Sequence, residues 1–276
     1  MMRSLWTAAS GMRAQQVNVD TIANNVANIN TIGYKSQQAS FKSLLYQNLQ
    51  STSTNNAGEN KPVAAEVGLG SRVAAITSTF TQGNLTHVEN PFSVALEGDG
   101  FFQIRTESGE LQYTRDGSFE ISPVANGNML CTSDGNPVLD AYGNQIILPS
   151  NRVATDLVVN QDGTLAFPDG TGNPAVITDA NGRPVKFGIY QFNNPAGLSK
   201  EGSNNYSVTV ASGAAAAENG NAAVKQTKTH QYYTEASNVD VANEMVNLIV
   251  AQRAYEMNSK AIQASDEMMQ QANALR

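Results

Sequence analysis

The chain has 276 residues, enough for one large domain or two ordinary ones, and only 15% of them are charged. A formal net charge of −7 argues against nucleic acid or an anionic membrane surface as a partner, and no apolar run is long enough to cross a membrane. Because Cys131 is the sole cysteine, the sequence excludes an intramolecular disulfide and a multi-thiolate metal site, and packing must stabilise the fold.

A first helix is predicted near the amino terminus, because apolar residues recur there every seven positions. One heptad position is taken by Leu5, Met12, Val19 and Val26, and a second by Ala8, Ile22 and Ile29, with Gln15 interrupting it. Gly33 is expected to end the helix in a left-handed conformation. Residues 1–36 are therefore predicted to form one helix of a coiled coil, and their start lacks the apolar core of a signal peptide.

The segment between residues 37 and 90 is predicted to be a linker with extended portions. Residues 41–49 continue an apolar pattern that is helical or extended, and residues 67–80 alternate in places as a strand does. Between them, residues 50–62 are rich in Ser, Thr and Asn and are expected to form a flexible loop.

Residues 91–235 are predicted to form a central antiparallel β domain. Their apolar residues alternate with a period of two, and glycines divide the short runs at intervals of about eight to ten residues. Asp-Gly pairs begin at positions 99, 116 and 134, as is typical of β-turns. Residues 211–223 are rich in Ala, Gly and Asn and are expected to form a loop.

A long second helix is predicted from residue 236 to residue 276, since neither proline nor glycine occurs there. Residues 237–240 (Ser-Asn-Val-Asp) are the expected helix start, with Ser237 as the capping side chain and the Asp240 carboxylate three positions later, near the positive end of the helix dipole. Two apolar stripes face nearly opposite ways along this helix. The first contains Val241, Leu248, Tyr255, Ile262 and Met269, and the second contains Val250, Met257 and Ala264 with Ala254, Ala261, Met268 and Leu275.

The predicted fold class is α+β, with the terminal helices paired in a discontinuous coiled-coil domain and the all-β domain between them. Two stripes on one helix predict neighbours on both sides, whereas the alternative is a helix buried inside its own domain. An isolated helix pair covers only one stripe, so the termini are expected to become fully ordered on assembly. The predicted self-assembly interface consists of Leu5, Met12, Val19, Ile22, Val26, Ile29, Val241, Leu248, Tyr255, Met257, Ile262 and Met269.

No catalytic, cofactor-binding or metal site is predicted. His87 and His230 lie in different segments, and neither has a supporting cluster of catalytic or ligating residues. The triplet Gly98-Asp99-Gly100 follows a predicted strand, as a dinucleotide-binding loop does, but a second strand follows it where such a loop requires a helix.

Two further features of the β domain have ordinary structural explanations. Cys131 lies within a β run, which favours a small buried apolar side chain over a nucleophile. Turns are commoner in β domains than calcium loops, and the candidate calcium ligands are Asp134, Asn136, Asp140 and Asn144. The alternative to a structural role is a β-rich binding or enzymatic domain with oligomerising helices.

Several motifs resemble those of the bacterial flagellar axial proteins, the family of rod, hook and hook-associated proteins. The general resemblance lies at residues 4–6 (Ser-Leu-Trp), 22–28 (Ile-Ala-Asn-Asn-Val-Ala-Asn), 33–35 (Gly-Tyr-Lys), 94–102 and 113–119. Residues 41–47 and 252–261 are similar more narrowly to the distal-rod members.

The resemblance implies a structural subunit, with no enzymatic activity, that polymerises into the helical tube of the distal rod. The terminal helices would line the inner wall with the β domain outside, and the tube would transmit torque to the hook and form the export channel. Implied partners are further copies, other rod proteins, the hook protein, ring or bushing proteins and the flagellar type III export apparatus. The resemblance also leaves open a proximal-rod or hook subunit, and it implies neither nucleic-acid binding nor membrane insertion.

Overall fold

The computed structural model describes residues 2–50, 65–124, 127–150, 152–168, 174–179, 182–221 and 224–274. Residues 51–62 of the predicted loop and Leu275 of the second stripe lie outside these ranges, and Gln50, the first residue of that loop, is in a strand. The fold is α+β as predicted, with a long helix near each end of the sequence and short strands between them.

The first helix, α1, spans Met2–Ala27 and is shorter than predicted. Gly33 has the expected positive φ of 70° but lies six residues beyond the end of the helix. The helix gives way instead to a turn in which the Thr31 hydroxyl donates to Asn28 Oδ1 at 3.1 Å. Asparagine and threonine side chains favour such local hydrogen bonds over continued helix, so the predicted end at Gly33 is wrong.

The second helix, α2, spans Val241–Ala274, and its capping residue also differs from the prediction. Asp240 is the cap, because its Oδ1 accepts a hydrogen bond from the Ala242 amide at 3.0 Å. Ser237, the expected cap, lies before the helix, where its hydroxyl accepts a hydrogen bond from the Val239 amide at 3.3 Å. The next side chain, Asn238, is bonded to Ser36 and Thr79.

Short strands fill the sequence between the helices, and every paired strand in the described ranges is antiparallel. The strands are β1 (Gln37–Ser43), β2 (Tyr46–Gln50), β3 (Ala65–Gly68), β4 (Ser71–Ser78), β5 (Leu85–His87), β6 (Val94–Glu97), β7 (Phe101–Arg105), β8 (Leu111–Thr114), β9 (Glu120–Val124), β10 (Gly127–Cys131), β11 (Ile147–Leu148), β12 (Val158–Val159), β13 (Leu165–Pro168), β14 (Pro174–Val176), β15 (Ile189–Gln191), β16 (Ser199–Gly202), β17 (Asn205–Ser207), β18 (Ala216–Ala217), β19 (Lys228–Gln231) and β20 (Tyr233–Glu235). Two 3-10 helices span Ala154–Asp156 and Pro195–Gly197. Strand β18 lies within residues 211–223, which the sequence predicted to be a loop.

These elements form two compact units. The helical unit consists of α1, β1 to β4 and α2, and the β unit consists of residues 28–36 with the described residues of 79–239. The described residues of 37–78 therefore belong to the helical unit. The pattern at 41–49, which is compatible in sequence with either helix or strand, is extended.

Within the helical unit, α1 packs against both α2 and the antiparallel β1–β4 pair. Asn25 fixes the contact with β1, because its side-chain amide donates to the Gln37 carbonyl and accepts from the Gln37 amide, each at 2.8 Å. Ala14 and Thr21 are also buried. The first helix is thus covered by α2 on one face and by β1 and β4 on another. Small buried residues therefore occur on both faces of α1 and not along a single stripe.

The β unit is built around a six-stranded sheet in the order β16-β17-β8-β7-β15-β18. Strand β7 lies inside this sheet, and its alternating side chains are buried on both sides. Phe102 and Ile104 join one apolar cluster with Phe119, whereas Phe101 joins a second with Tyr206. Burial of both sheet faces accounts for the apolar residues Phe101, Phe102 and Ile104 on one strand, where Gln103 is buried as well.

Candidate assembly surface

The two helices run antiparallel and share one heptad register. The contacting pairs, from one end to the other, are Ser4 with Ser265, Gly11 with Asn258, and Asn25 with Glu244. The first two pairs are separated by seven residues on each helix, and the second and third by fourteen. A Cβ atom at the glycine would lie 2.9 Å from the asparagine amide nitrogen, so this glycine permits close approach of the helices.

Most of the predicted interface residues are already covered within a single chain. Of those on α1, Ile22 is buried and the half-buried ones are Leu5, Met12, Val19 and Val26. Ile29 follows the helix in the β unit and is half-buried, as are Leu248, Ile262 and Met269 of α2. The exposed members are Met257 at 71%, Val241 at 44% and Tyr255 at 43%. Of the predicted interface residues, only these three expose a large apolar surface to solvent.

The second predicted stripe of α2 is exposed along the helix. Val250 is 62% exposed, Met268 is 49% exposed, and Ala261 and Ala264 between them are also exposed. Near the start of the helix the exposed apolar surface widens to include Met245, Val246 and Ile249. We call the exposed residues Val250, Met257, Ala261, Ala264 and Met268 the outer stripe. A contiguous apolar stripe of this kind marks a protein–protein contact more often than a solvated surface.

A buried charge cluster in the β unit brings together three segments that are distant in sequence. The Glu235 carboxylate lies 2.6 Å from Lys35 Nζ and 3.4 Å from Arg115 Nη1, and all three side chains are almost fully buried. Arg115 also donates to the Gly98 carbonyl at 2.6 Å and stacks over the Phe101 ring. Burial lowers the pKa of both Lys35 and Arg115, and the Glu235 charge opposes that effect.

The backbone just before Lys35 contacts the backbone of the other two residues of this charge cluster. The Gly33 amide donates to the Glu235 carbonyl at 2.8 Å, and a Cβ atom at Gly33 would lie 2.9 Å from backbone atoms at Arg115. The sequence motifs 33–35 and 113–119 therefore meet in one place. Both motifs are visible in the sequence, but the sequence does not indicate a role for their charged residues, because pairing across this distance leaves no local signal.

A single amide near the end of the β unit joins three backbone segments. Asn238 Oδ1 accepts from the Ser36 amide at 2.7 Å, and its Nδ2 donates to the Thr79 carbonyl at 2.8 Å and to Thr81 Oγ1 at 2.9 Å. The Thr79 amide in turn donates to the Ser36 carbonyl at 2.8 Å. These bonds hold Ser36, Thr79 and Asn238 together, and each of the three lies within two residues of a boundary between the units in the sequence.

The histidines have structural partners on β strands. His230 lies 2.7 Å from Glu97 across the β19–β6 pair. His87 packs edge-on against the Tyr233 ring at 5.4 Å, across the β20–β5 pair. Neither histidine contacts a nucleophile, and no cluster of three His, Cys, Asp or Glu side chains able to hold a metal occurs in the described ranges.

The other residues considered as metal ligands, nucleotide-binding residues or nucleophiles lie in turns, in a strand connection or in the core of the β unit. Asp140 Oδ1 accepts from the Tyr142 amide at 2.8 Å and the Asn144 amide at 2.7 Å, so its carboxylate closes a turn. The triplet at 98–100 connects β6 to β7, which confirms that a strand follows it. Cys131 is buried in β10, and burial raises the pKa of its thiol, as befits an unreactive side chain.

Comparison with known proteins places this architecture in a family. Three family models match: "Flagella basal body rod protein" at residues 5–35, "Flagellar hook protein FlgE/F/G D1 domain" at 95–167, and "Flagellar basal body rod FlgEFG protein C-terminal" at 230–275. The flagellar basal-body rod protein FlgG of Borreliella burgdorferi is 43% identical over 100% of this chain and 99% of its own length. The chain belongs to the FlgG family of flagellar basal-body rod proteins.

Two proteins of Bacillus subtilis show how this FlgG-family chain compares with related flagellar parts. Its FlgG is 35% identical over 98% of both chains, and its hook-basal body complex protein FlhP is 33% identical over 100% of both. The FlgG-family chain is a structural subunit of the flagellar basal-body rod. No described helix is long and apolar enough to span a membrane.

Proposed function

We propose that this rod subunit polymerises with copies of itself into a helical tube in the distal rod. The observation that carries the proposal is the outer stripe of α2, which stays exposed although the opposite side of α2 already packs on α1. At about 25 cal/mol per Å² of apolar area, covering this stripe would contribute several kcal/mol per subunit contact. In a tube whose helices pack side by side, the helices of neighbouring subunits cover the outer stripe of every subunit.

The terminal helices form an antiparallel coiled coil in this proposal. Support comes from the matching seven- and fourteen-residue spacings on the two helices and from the half-buried heptad residues between them. The coiled coil would line the export channel, and the polymer would transmit motor torque to the hook. The proposed partners are other rod proteins, the hook protein, ring or bushing proteins and the type III export apparatus. A self-assembling mechanical subunit requires no active site, so we assign none.

A neighbouring axial part is the second candidate, because the 33% identity to a hook-basal body complex protein extends over the whole chain. Immunogold electron microscopy of isolated hook–basal bodies, with antibody raised against residues 91–235, separates the possibilities. Label on the rod next to the hook supports the distal rod. Label nearer the motor would assign the subunit to the proximal rod, and label along the hook would assign it to the hook. Absence of label from the organelle would contradict the axial role and favour a β-rich binding domain with oligomerising helices.

A further inference from the structure

A groove of about 400 Å³ lies in the helical unit between α1 and β4, with Leu44, the residue after β1, also in its wall. Its inner surface is apolar and includes Ala14 and Val17 of α1 and Val73 of β4, which are buried or half-buried. Trp6, the sole tryptophan, lines the groove and is 74% exposed. A large aromatic side chain left in solvent beside an apolar groove indicates that another molecule covers it.

The exposed edge of this groove is positively charged. Arg13 and Arg72 line it, and Lys42 lies directly opposite Arg72 in the β1–β4 register. Like charges placed opposite each other on neighbouring strands destabilise the pair. None of the three forms an ion pair within the described ranges. An acidic group on the covering molecule would compensate all three.

The carboxyl-terminal part of α2 has the complementary chemistry. Between residues 261 and 274 the only charged side chains are Asp266 and Glu267, and both are exposed. Glu267 adjoins Met268, which is half exposed and belongs to the outer stripe. An apolar side chain beside an unpaired carboxylate matches an apolar groove bordered by arginines.

The same copy of α2 cannot place this segment in its own groove. The antiparallel register sets Ser265 beside Ser4, so Glu267 lies beyond the start of the groove. At 1.5 Å per helical residue, roughly 16 Å along the helix axis separates Glu267 from Arg13 of the same chain. That distance exceeds the reach of the two side chains, so Glu267 can contact Arg13 only from a second molecule.

We infer that the groove binds α2 of a second copy of this chain, with Met268 in the apolar part and Glu267 paired to Arg13 and Arg72. The inference rests on the proposed polymerisation and names the contact that propagates it. Groove and helix end are different surfaces of one molecule, so the contact is heterologous. Repetition of a heterologous contact builds an open helical filament instead of a closed dimer.

Charge reversal tests the pairing. Arg13→Glu and Glu267→Arg, each alone, should lower incorporation into basal bodies by about tenfold or more, because each places like charges together at the contact. The double variant should recover at least half of the wild-type amount. Lys225→Glu, an exposed charge change in the β unit, serves as the matched control and should incorporate normally.

Each result supports or overturns the inference. Normal incorporation of both single variants would exclude the groove as a contact. Loss in both singles without recovery in the double would show that Arg13 and Glu267 do not meet, and that another partner occupies the groove. If wild-type protein itself is absent from basal bodies, the proposed function fails, and that outcome is distinct from failure of the groove.

Fluorescence provides a second readout on purified protein. Trp6 emission should shift to shorter wavelength when wild-type protein polymerises, because the ring leaves water. The shift should be lost in Glu267→Arg and restored when Arg13→Glu protein is mixed with it, since the reversed charges then face each other across molecules. Polymer that forms without any change in Trp6 emission would overturn the inference.

Discussion

At the scale of single residues, the structure depends most on Glu235, the carboxylate that separates two buried cations. Glu235→Gln would leave Lys35 and Arg115 without their shared counter-charge, since both side chains are buried. Breaking a buried ion pair from one side costs about 3–5 kcal/mol. We therefore expect the free energy of unfolding to fall by about that amount, as measured by urea denaturation.

The control for this experiment is Glu97→Gln. Its carboxylate also pairs with a basic side chain, His230, but on an exposed surface. Solvent screening makes such pairs weak, so little change in the urea midpoint is expected. Equal midpoints for the two variants would show that the buried cluster does not stabilise the β unit.

Tyr206 gives the β unit a defined response to alkaline pH. Burial raises the pKa of its phenol to about 12, whereas an exposed tyrosine titrates near pH 10. Between these values the unfolded chain has lost a proton that the folded chain keeps, so the free energy of unfolding falls as pH rises. The expected loss from this group is about 2–3 kcal/mol, complete by about pH 12.

Urea denaturation at about pH 9 and about pH 11 measures roughly half of that loss, about 1 kcal/mol, because the folded-state pKa of about 12 lies above this interval. Tyr113 and Tyr190 also have raised pKa values, so wild type and Tyr206→Phe must be compared at each pH. The phenylalanine variant should lose less stability over this interval than wild type. A wild-type phenolate absorbance curve that equals that of Tyr206→Phe plus one ordinary tyrosine would contradict the raised pKa.

The sequence predicted the roles of residues that interact with near neighbours in the chain, and it did not predict the roles of residues that interact over long distances in the chain. Local turns such as the one closed by Asp140 follow from neighbouring residues, and the sequence suggested them. The contact of Lys35 with Glu235 joins residues 200 positions apart, and no periodicity encodes such a contact. The sequence therefore does not predict the cluster, although the motifs that supply its two cations are recognisable in it.

At the scale of elements, the heptad pattern predicted both helices, but tertiary contacts decided their ends. The pattern continues through Ile29, yet α1 ends at Ala27 and residues 28–36 belong to the β unit. Ser237 is the cap that the sequence predicts, but the bonds of the next residue, Asn238, to Ser36 and Thr79 hold this segment outside the helix, and Asp240 is the cap. Local preference is a weak guide where a long-range hydrogen bond competes with it.

The two stripes of α2 should respond differently to a buried charge. Ile262 is half-buried in the helical unit, so Ile262→Asp, like Leu248→Asp, should loosen the helix pair and also block assembly. Met257 is exposed, so Met257→Asp should leave the monomer intact and block assembly alone. Urea denaturation and sedimentation measure the two effects separately. Equal monomer stability in all three variants, or normal polymer from any of them, would contradict the assignment of the stripes.

At the scale of the whole molecule, folding and assembly should be coupled through the helical unit. Its helices contain 26 and 34 residues, and most helical stability in proteins comes from packing of an apolar face. In one chain the outer stripe remains uncovered, whereas the β unit has two enclosed apolar clusters of its own. Local stability should therefore be lower in the helices than in the β unit until neighbours arrive.

We accordingly expect helical content to rise when monomer becomes polymer. Far-ultraviolet circular dichroism at matched protein concentration measures the change, and Met257→Asp, which should stay monomeric, is the control under the same conditions. The wild-type helical signal should increase with polymer mass while that of the variant stays constant, because only the wild type covers its outer stripe. A wild-type signal that is identical before and after polymerisation would mean that the helix pair is already fully stable in one chain, and that assembly joins preformed surfaces.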